Sequence, residues 1–166
     1  MCRFHGKKEP NMLTAQDNAT VVRALYDAFN RRDMVKALAL VTDDVKWMNI
    51  PFNVNYTGRA GFREFLDNWT TAMADCKVEI VNLVAGDEWS VVEFIGRGTH
   101  TGPLAGPQGS IPATRNKLEL KCCEVLRVKD GQIAEGHVYF DAATLLRQLG
   151  VRELAPTTSP GAPSTR

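Results

Sequence analysis

Polar side chains at the join between a predicted strand and a predicted helix could move protons. The stretch EGHVYFDAATLLRQLG, residues 135–150, changes there from strand-like to helix-like residues, and Asp141 stands at the change. Asp141 follows Glu135, His137 and Tyr139 at steps of two residues, so these side chains are expected on one face of the strand. An apolar pocket would raise the pKa of an unpaired carboxylate there, which suits proton transfer near neutral pH.

Asp141 has a structural interpretation as well. An Asp directly before Ala-Ala-Thr-Leu-Leu is a good helix N-cap, because its carboxylate accepts backbone N–H groups and is favoured by the helix dipole. Capping keeps the carboxylate ionised, whereas a catalytic acid needs a raised pKa. The two interpretations therefore predict opposite chemistry, and the residues alone leave both open.

His100 and Glu124 are further candidates for chemistry. His100 is expected on the same strand face as several apolar residues, so it is either a hydrogen-bonded wall residue or a group that orients or moves a proton. Glu124 interrupts an apolar row on one strand face. A buried charge needs a partner or a function, so Glu124 either pairs with Arg97 or Arg115 or takes part in the chemistry.

Large aromatic side chains could line a pocket for a flat hydrophobic ligand, although rings at these spacings also fill ordinary cores. The candidate substrate-binding residues are Trp47, Phe52, Trp69, Glu124, His137 and Tyr139.

The pattern of elements places helices first and long strands afterwards. A helix from Asp17, a short helix DMVKALALV capped by Asp33, a strand VKWMNIP and a helix GRAGFREFLDNWTTAM come first. Alternating strands follow at 77–83, 89–101, 116–128 and 132–140, joined by tight turns and one Gly/Pro-rich loop, and a short helix ends the series. This order predicts an α+β fold with a mainly antiparallel sheet.

Three N-terminal helices on one face of a strongly curved sheet would make a cone-shaped α+β barrel with a pocket inside. We expect a single domain over residues 14–152, after a flexible leader at 1–13. Residues 153–166 are rich in Pro, Ser and Thr, so their burial cannot repay the entropy of ordering, and a disordered tail is expected.

Composition excludes several function classes. The 166 residues carry a formal net charge of +1, which gives no electrostatic case for nucleic acid or an anionic membrane. The sequence contains no zinc-type Cys/His spacing, P-loop or dinucleotide fingerprint, so none of these zinc or nucleotide sites is expected. Four cysteines without a CxxC, and no recognisable targeting segment, lead us to expect free thiols in a reducing cytoplasm.

The order of elements, the segment IGRGTHTGPLAGPQGSIPATR and the terminal KDGQIAEGHVYFDAATLLRQLG together resemble the SnoaL-like polyketide cyclases. These belong to the nuclear transport factor 2-like superfamily, with ketosteroid isomerases and limonene epoxide hydrolases. The resemblance spans about residues 15–150. It implies a homodimeric cone-shaped barrel with a deep apolar pocket and neither metal nor organic cofactor. It also implies that Asp141 is the acid/base of an intramolecular aldol condensation and that His100 assists.

Three functions follow as hypotheses. The first is a cofactor-independent enzyme in which Asp141 moves a proton on a hydrophobic carbonyl-bearing molecule, as in aldol cyclisation or isomerisation. The second is epoxide hydrolysis, which would need two carboxylates close to one water, for example Asp141 with Glu124. The third is a module that binds a small hydrophobic ligand without chemistry.

Overall fold

A computed structural model describes residues 14–107 and 109–151 of the chain. The expected leader at 1–13 and tail at 153–166 lie outside the described residues. The bounds of the expected domain, 14–152, stay a prediction.

In the part of the chain that the structure describes, four helices begin where the sequence supplies caps or turns. They are α1 (Ala15–Arg31), α2 (Met34–Ala39), α3 (Gly58–Ala72) and α4 (Ala142–Leu149). Thr14 and Asp17 form a reciprocal capping box at the start of α1, and the carboxylate of Asp33 accepts the N–H of Lys36 at the start of α2. These side chains satisfy backbone donors that a helix leaves unpaired in its first turn.

The strands within residues 14–107 and 109–151 form one large sheet and one small hairpin. They are β1 (Val41–Asn49), β2 (Val54–Thr57), β3 (Lys77–Ala85), β4 (Trp89–Thr99), β5 (Leu104–Gly106), β6 (Gly109–Ile111), β7 (Lys117–Lys129) and β8 (Gln132–Phe140). The large sheet has the order β2-β1-β8-β7-β4-β3, with a parallel β1–β8 pair and antiparallel neighbours elsewhere. The predicted α+β fold, with three N-terminal helices on a mainly antiparallel sheet and a short C-terminal helix, is confirmed.

Two parts of the sheet differ from the expectation. β1 begins at Val41, because the residues expected to end the second helix already pair with β8. The Gly/Pro-rich loop, expected as a connector, contains the β5–β6 hairpin. Asn68 of α3 holds this hairpin, since its amide donates to the Ala105 carbonyl at 3.0 Å and accepts the Ala105 N–H at 2.9 Å.

The inner face of the sheet packs against α1 and α3 and carries the apolar row of each long strand. On β8 the inner face is marked by Gly136 and Val138, which are both buried. His137 and Tyr139 therefore point to the outer face, because neighbouring side chains on a strand alternate.

Candidate functional site

An apolar cavity of about 90 Å³ lies between the inner face of the sheet and helices α1 and α3. That is several times the space that one water needs. Aromatic rings from both layers form most of its wall, namely Trp47, Phe62, Phe65, Trp69, Phe94 and Phe140. A cavity walled in this way favours a compact apolar ligand.

Glu124 places a carboxyl group in this cavity. It lies on the inner face of β7 between Cys122 and Leu126, and its residue is 5% exposed. The hydroxyl of Tyr26, on α1, donates a hydrogen bond to Glu124 Oε2. Among the described residues, Glu124 forms a salt bridge with neither of the expected partners Arg97 and Arg115, and Arg97 binds Glu79 and Glu119 instead. The hydrogen bond from Tyr26 leaves Oε1 for a proton or a ligand.

The surroundings of Glu124 set its protonation. Burial raises the pKa of this carboxyl to about 7, and the hydrogen bond from Tyr26 opposes part of that rise. Burial and the neighbouring carboxylate raise the pKa of Tyr26 well above its ordinary value, so the phenol keeps its proton. Glu124 can therefore accept or donate a proton near neutral pH, which is the range that general acid–base catalysis uses.

Two thiols also line the cavity and stay protonated. Burial raises the pKa of Cys76 to about 11 and raises that of Cys122 further. A protonated thiol is a weak nucleophile, so these residues supply an apolar, polarisable wall.

Trp47 forms a part of the wall that depends on a glycine. A Cβ at Gly136 would overlap the indole ring of Trp47, so a residue without a side chain is needed at that position of β8. Phe62 and Phe65 of α3 pack on the same indole, with ring centroids 4.6 and 5.5 Å away. The indole is thereby fixed between the sheet and the helix.

Asp141 lies away from the cavity, which corrects the expectation that it faces an apolar pocket. It is the exposed N-cap of α4, where its carboxylate accepts the Ala143 N–H at 2.9 Å and the Thr144 hydroxyl at 2.6 Å. These hydrogen bonds lower the pKa of Asp141, which holds it ionised. The capping interpretation describes its surroundings, and a catalytic role for Asp141 stays a prediction without a cavity around it.

His100 is fully buried but is not part of the cavity wall. Its Nδ1 accepts the Thr114 N–H at 3.2 Å, which leaves the proton of the neutral ring on Nε2. Burial lowers the pKa of His100, so the ring stays neutral at physiological pH. Its predicted catalytic role stays a prediction, and its contacts tie the loop before β7 to the end of β4.

The other candidates divide between the two faces of the sheet. Trp47, Trp69 and Glu124 line the cavity as expected of ligand-contacting residues. Three candidates do not. His137 pairs with Glu135 at 3.0 Å on the outer face, Tyr139 is 40% exposed there, and Phe52 packs on Phe140 in a separate apolar cluster.

Tyr26 is a candidate that the sequence analysis missed. It sits in the apolar stripe of α1 next to Leu25, where an ordinary core residue is expected. A signal was available, because a buried tyrosine usually finds a hydrogen-bond partner for its hydroxyl. The partner, Glu124, lies far away in the sequence, so the pair itself could not be read from one chain.

Within the described residues, no group of three or more His, Cys, Asp or Glu side chains is arranged to hold a metal ion. None of the helices described is long and apolar enough to span a membrane.

Comparison with known proteins gives a family. The model of the SnoaL-like polyketide cyclase family matches residues 19–149, which is most of the chain. The protein belongs to the SnoaL-like polyketide cyclase family. The resemblance inferred from the sequence is confirmed, and the match runs from within α1 to the end of α4. A search of curated proteins found no match.

Solved structures share the SnoaL-like fold over nearly their whole length. A candidate SnoaL-like polyketide cyclase from Jannaschia sp. CCS1 is 16% identical, with a TM-score of 0.74 over 89% of this chain and 99% of that one. A candidate polyketide cyclase from Pseudomonas putida KT2440 is 25% identical, with a TM-score of 0.65 over 82% and 98%. A protein with a ketosteroid isomerase-like fold from Catenulispora acidiphila DSM 44928, in complex with trimethylamine, is 15% identical, with a TM-score of 0.67 over 80% and 93%.

The family supports a small-molecule cyclase-like role for this SnoaL-like protein. The neighbours under 25% identity show a shared fold alone. Neither the family nor the fold defines the reaction, because one fold carries many chemistries. The reaction must therefore be inferred from the residues that line this chain's own cavity.

Proposed function

We propose that this protein is a cofactor-independent enzyme that transfers a proton on a compact, hydrophobic, carbonyl-bearing molecule, with Glu124 as its acid and base. The observation that carries the proposal is the Glu124 carboxyl, with its pKa raised to about 7, in the wall of an apolar cavity. Perturbed carboxyls in clefts are frequent at catalytic sites. The proposal keeps the reaction class expected from the sequence and moves the acid/base role from Asp141 to Glu124.

The chemistry runs without a net change of protons. The ionised carboxylate takes a proton from the carbon next to the substrate carbonyl, which leaves an enolate in the cavity. In an isomerisation, the protonated Glu124 returns that proton to a different carbon. In an aldol ring closure, the enolate carbon bonds to a second carbonyl carbon of the same molecule, and Glu124 protonates the alkoxide that forms.

Tyr26 would hold Glu124 in position and adjust its proton affinity. Its hydrogen bond stabilises the ionised carboxylate, which opposes the effect of burial on the pKa. The aromatic wall excludes water from the enolate and orients a flat substrate. Among the substrate-binding candidates predicted from the sequence, Trp47 and Trp69 are the ones proposed to contact the substrate.

The alternatives make different demands on the cavity. Epoxide hydrolysis by Asp141 with Glu124 needs both carboxylates at one water, and Asp141 is an exposed helix cap. A ligand-binding module without chemistry needs the same cavity but no proton transfer. The second alternative is therefore the one that an experiment must separate from the proposal.

Proton exchange on a model ketone makes that separation. Acetophenone in D₂O, followed by proton NMR, reports removal of protons from the methyl group next to the carbonyl. We expect the wild-type protein to speed this exchange and Glu124→Gln to lower the rate by about a hundredfold, which is the typical worth of a general base. Asp141→Asn, the matched carboxyl-to-amide change outside the cavity, should leave the exchange rate unchanged.

Two outcomes contradict the proposal. Full exchange activity in Glu124→Gln, with activity lost in Asp141→Asn, would return the role to the helix cap. Saturable acetophenone binding without any catalysed exchange in the wild-type protein would favour the binding module.

The homodimer implied by the family resemblance is part of the same proposal. Trp89, Val91 and Tyr139 are large apolar side chains, each 39–40% exposed, on the outer face of the sheet. They support that face as the surface between two copies, and light scattering of the purified protein would report a dimer as twice the mass of the chain.

A further inference from the structure

One oxygen of the Glu124 carboxyl group is open to a ligand in the cavity. Tyr26 donates its hydrogen bond to Oε2, and no described residue donates one to Oε1. Oε1 does not belong to the unpaired polar atoms of the described residues that are sealed off from water, so it keeps accessible surface. Because Glu124 is only 5% exposed and lines the cavity, this surface faces the cavity.

The cavity contains an acidic group but no cation to balance it. Among the described residues, no Lys, Arg or His side chain lines it. Its other titratable groups are Tyr26, Cys76 and Cys122, whose raised pKa values keep them protonated and uncharged. An ionised Glu124 is therefore a buried charge with a hydrogen bond but without an ion-pair partner, which is costly. A ligand that carries positive charge would offset this cost.

Aromatic rings flank the position that such a cation would take. Cys122 lies two residues from Glu124 on the same face of β7, and it is aligned with Phe94 on β4 and with Phe140 on β8. Residues in this diagonal relation have Cα atoms about 7 to 8 Å apart, within reach of an aromatic side chain. Both rings line the cavity, and Trp69 packs on Phe140 with ring centroids 5.7 Å apart. Such rings attract cations through the negative charge on their faces.

The size and the polarity of the cavity narrow the class of cation. Its volume of about 90 Å³ admits a small branched or cyclic alkyl group. A single carboxyl group in an otherwise apolar wall balances one positive charge, which disfavours a polyamine. A metal ion would need more oxygen or nitrogen ligands than this wall offers.

We propose that the cavity binds a compact alkylammonium ion, which pairs with Glu124 Oε1 and packs against the aromatic wall. This inference goes beyond the proposed function, because it needs the cavity and the ionised carboxylate but no turnover. A bound ammonium ion occupies the group that would remove a proton from a ketone. The same ligand should therefore inhibit acetophenone exchange in competition with the ketone.

A pair of shape-matched ligands isolates the contribution of the charge. tert-Butylammonium and tert-butanol have the same branched alkyl group, and each can donate a hydrogen bond to a carboxylate. An alkylammonium ion, like a lysine side chain with a pKa of about 10.4, stays charged at pH 8, where Glu124 is ionised. Titration calorimetry at pH 8 should give an affinity about tenfold higher for tert-butylammonium than for tert-butanol.

Two carboxyl-to-amide variants assign the preference to one residue. Glu124→Gln nearly keeps the shape of the side chain but cannot ionise, so the preference for tert-butylammonium should disappear. Glu119→Gln changes an exposed carboxylate on the outer face of the same strand, where it pairs with Arg97. This control should keep the preference of the wild-type protein.

A second measurement uses the wild-type protein alone, so it holds even where Glu124→Gln folds poorly. At pH 7 about half of the molecules carry a proton on Glu124, because the pKa of this carboxyl is about 7. An ammonium ion that pairs with Oε1 favours the ionised carboxylate and so expels that proton. Calorimetry at pH 7 in buffers of different ionisation enthalpy should report the release of about half a proton per bound ammonium ion. Binding of tert-butanol should release far less.

Several results would overturn the inference. They are no saturable binding of tert-butylammonium, equal affinities for the two ligands in the wild-type protein, a preference that persists in Glu124→Gln or is lost in Glu119→Gln, and binding at pH 7 without proton release. The proposed function fails separately, because these measurements do not depend on turnover. Ammonium binding without catalysed acetophenone exchange would refute the proposed function and leave the ammonium site standing. Catalysed exchange that excess tert-butylammonium does not slow would refute the ammonium site and leave the proposed function standing.

Discussion

Replacing Glu124 with glutamine removes a buried ionisable group and nearly keeps the shape of the side chain. Burial raises the pKa of this carboxyl from 4.5 to about 7, so the folded protein binds the proton more tightly than the unfolded chain does. The burial penalty is absent below about pH 4.5, where both states are protonated, and is complete above about pH 7, where both are ionised. Stability from this group is therefore lost as the pH rises.

The size of the effect follows from the two pKa values. A tenfold change in proton affinity is worth about 1.4 kcal/mol. The wild-type free energy of unfolding should therefore fall, relative to that of Glu124→Gln, by roughly 2 to 3 kcal/mol between pH 5 and pH 8. Above pH 7 the variant should be the more stable protein, because an amide accepts the Tyr26 hydroxyl without a buried charge.

Urea unfolding at several pH values, followed by tryptophan fluorescence, measures this difference. Glu119→Gln is the matched control, because Glu119 is on the same strand but points to the outer face, where it pairs with Arg97 at 2.8 Å. Its pH dependence should follow that of the wild type. Parallel stability curves for wild type and Glu124→Gln across the whole pH range would refute a raised pKa at Glu124.

Two further substitutions test the neighbours of the carboxyl and of the indole. Tyr26→Phe removes the hydrogen bond that opposes the rise in the Glu124 pKa. The midpoint of the pH profile for acetophenone exchange should therefore move to a higher pH. An unchanged midpoint would contradict the pairing of Tyr26 with Glu124. Gly136→Ala introduces a Cβ that overlaps the Trp47 ring and should destabilise the fold by about 1 to 3 kcal/mol, with a shift in tryptophan fluorescence. Gly96→Ala is the control, because Gly96 lines the cavity and the nearest atom to a Cβ there is 4.0 Å away. Equal losses of unfolding free energy in both variants would contradict the close contact between position 136 and the Trp47 ring.

Most of the fold could be predicted because local patterns and the final architecture agree. The strand at 132–140 and the helix after it follow directly from alternation, the Asp-Gly turn and the cap at Asp141. The short strand β2 was not predicted, because Val54–Thr57 has little pattern of its own and depends on its pairing with β1.

The candidate site was predicted less well, for a physical reason. Alternation shows which residues share a face, but not which face is inside. Glu135, His137 and Tyr139 do share a face, and it is the outer one, because Val138 and Gly136 take the inner positions. On β7 the interrupted apolar row at Glu124 did identify a buried carboxylate, since five apolar neighbours of the same parity left little doubt about the inside.

The parallel pairing of β1 with β8 has a consequence for how the chain folds. It brings Trp47 beside Gly136, near opposite ends of the sheet-forming sequence. Among the described strands, it is the one pairing that joins the β1–β2 ribbon to the antiparallel strands. Contacts between such distant segments require closure of a long loop and slow the folding of small domains. During synthesis, Trp47 can pack against Gly136 only after β8, and so nearly the whole domain, has left the ribosome. Until then, the aromatic side chains that will line the cavity stay exposed, so a nascent chain stalled before β8 is expected to aggregate more readily than the complete domain.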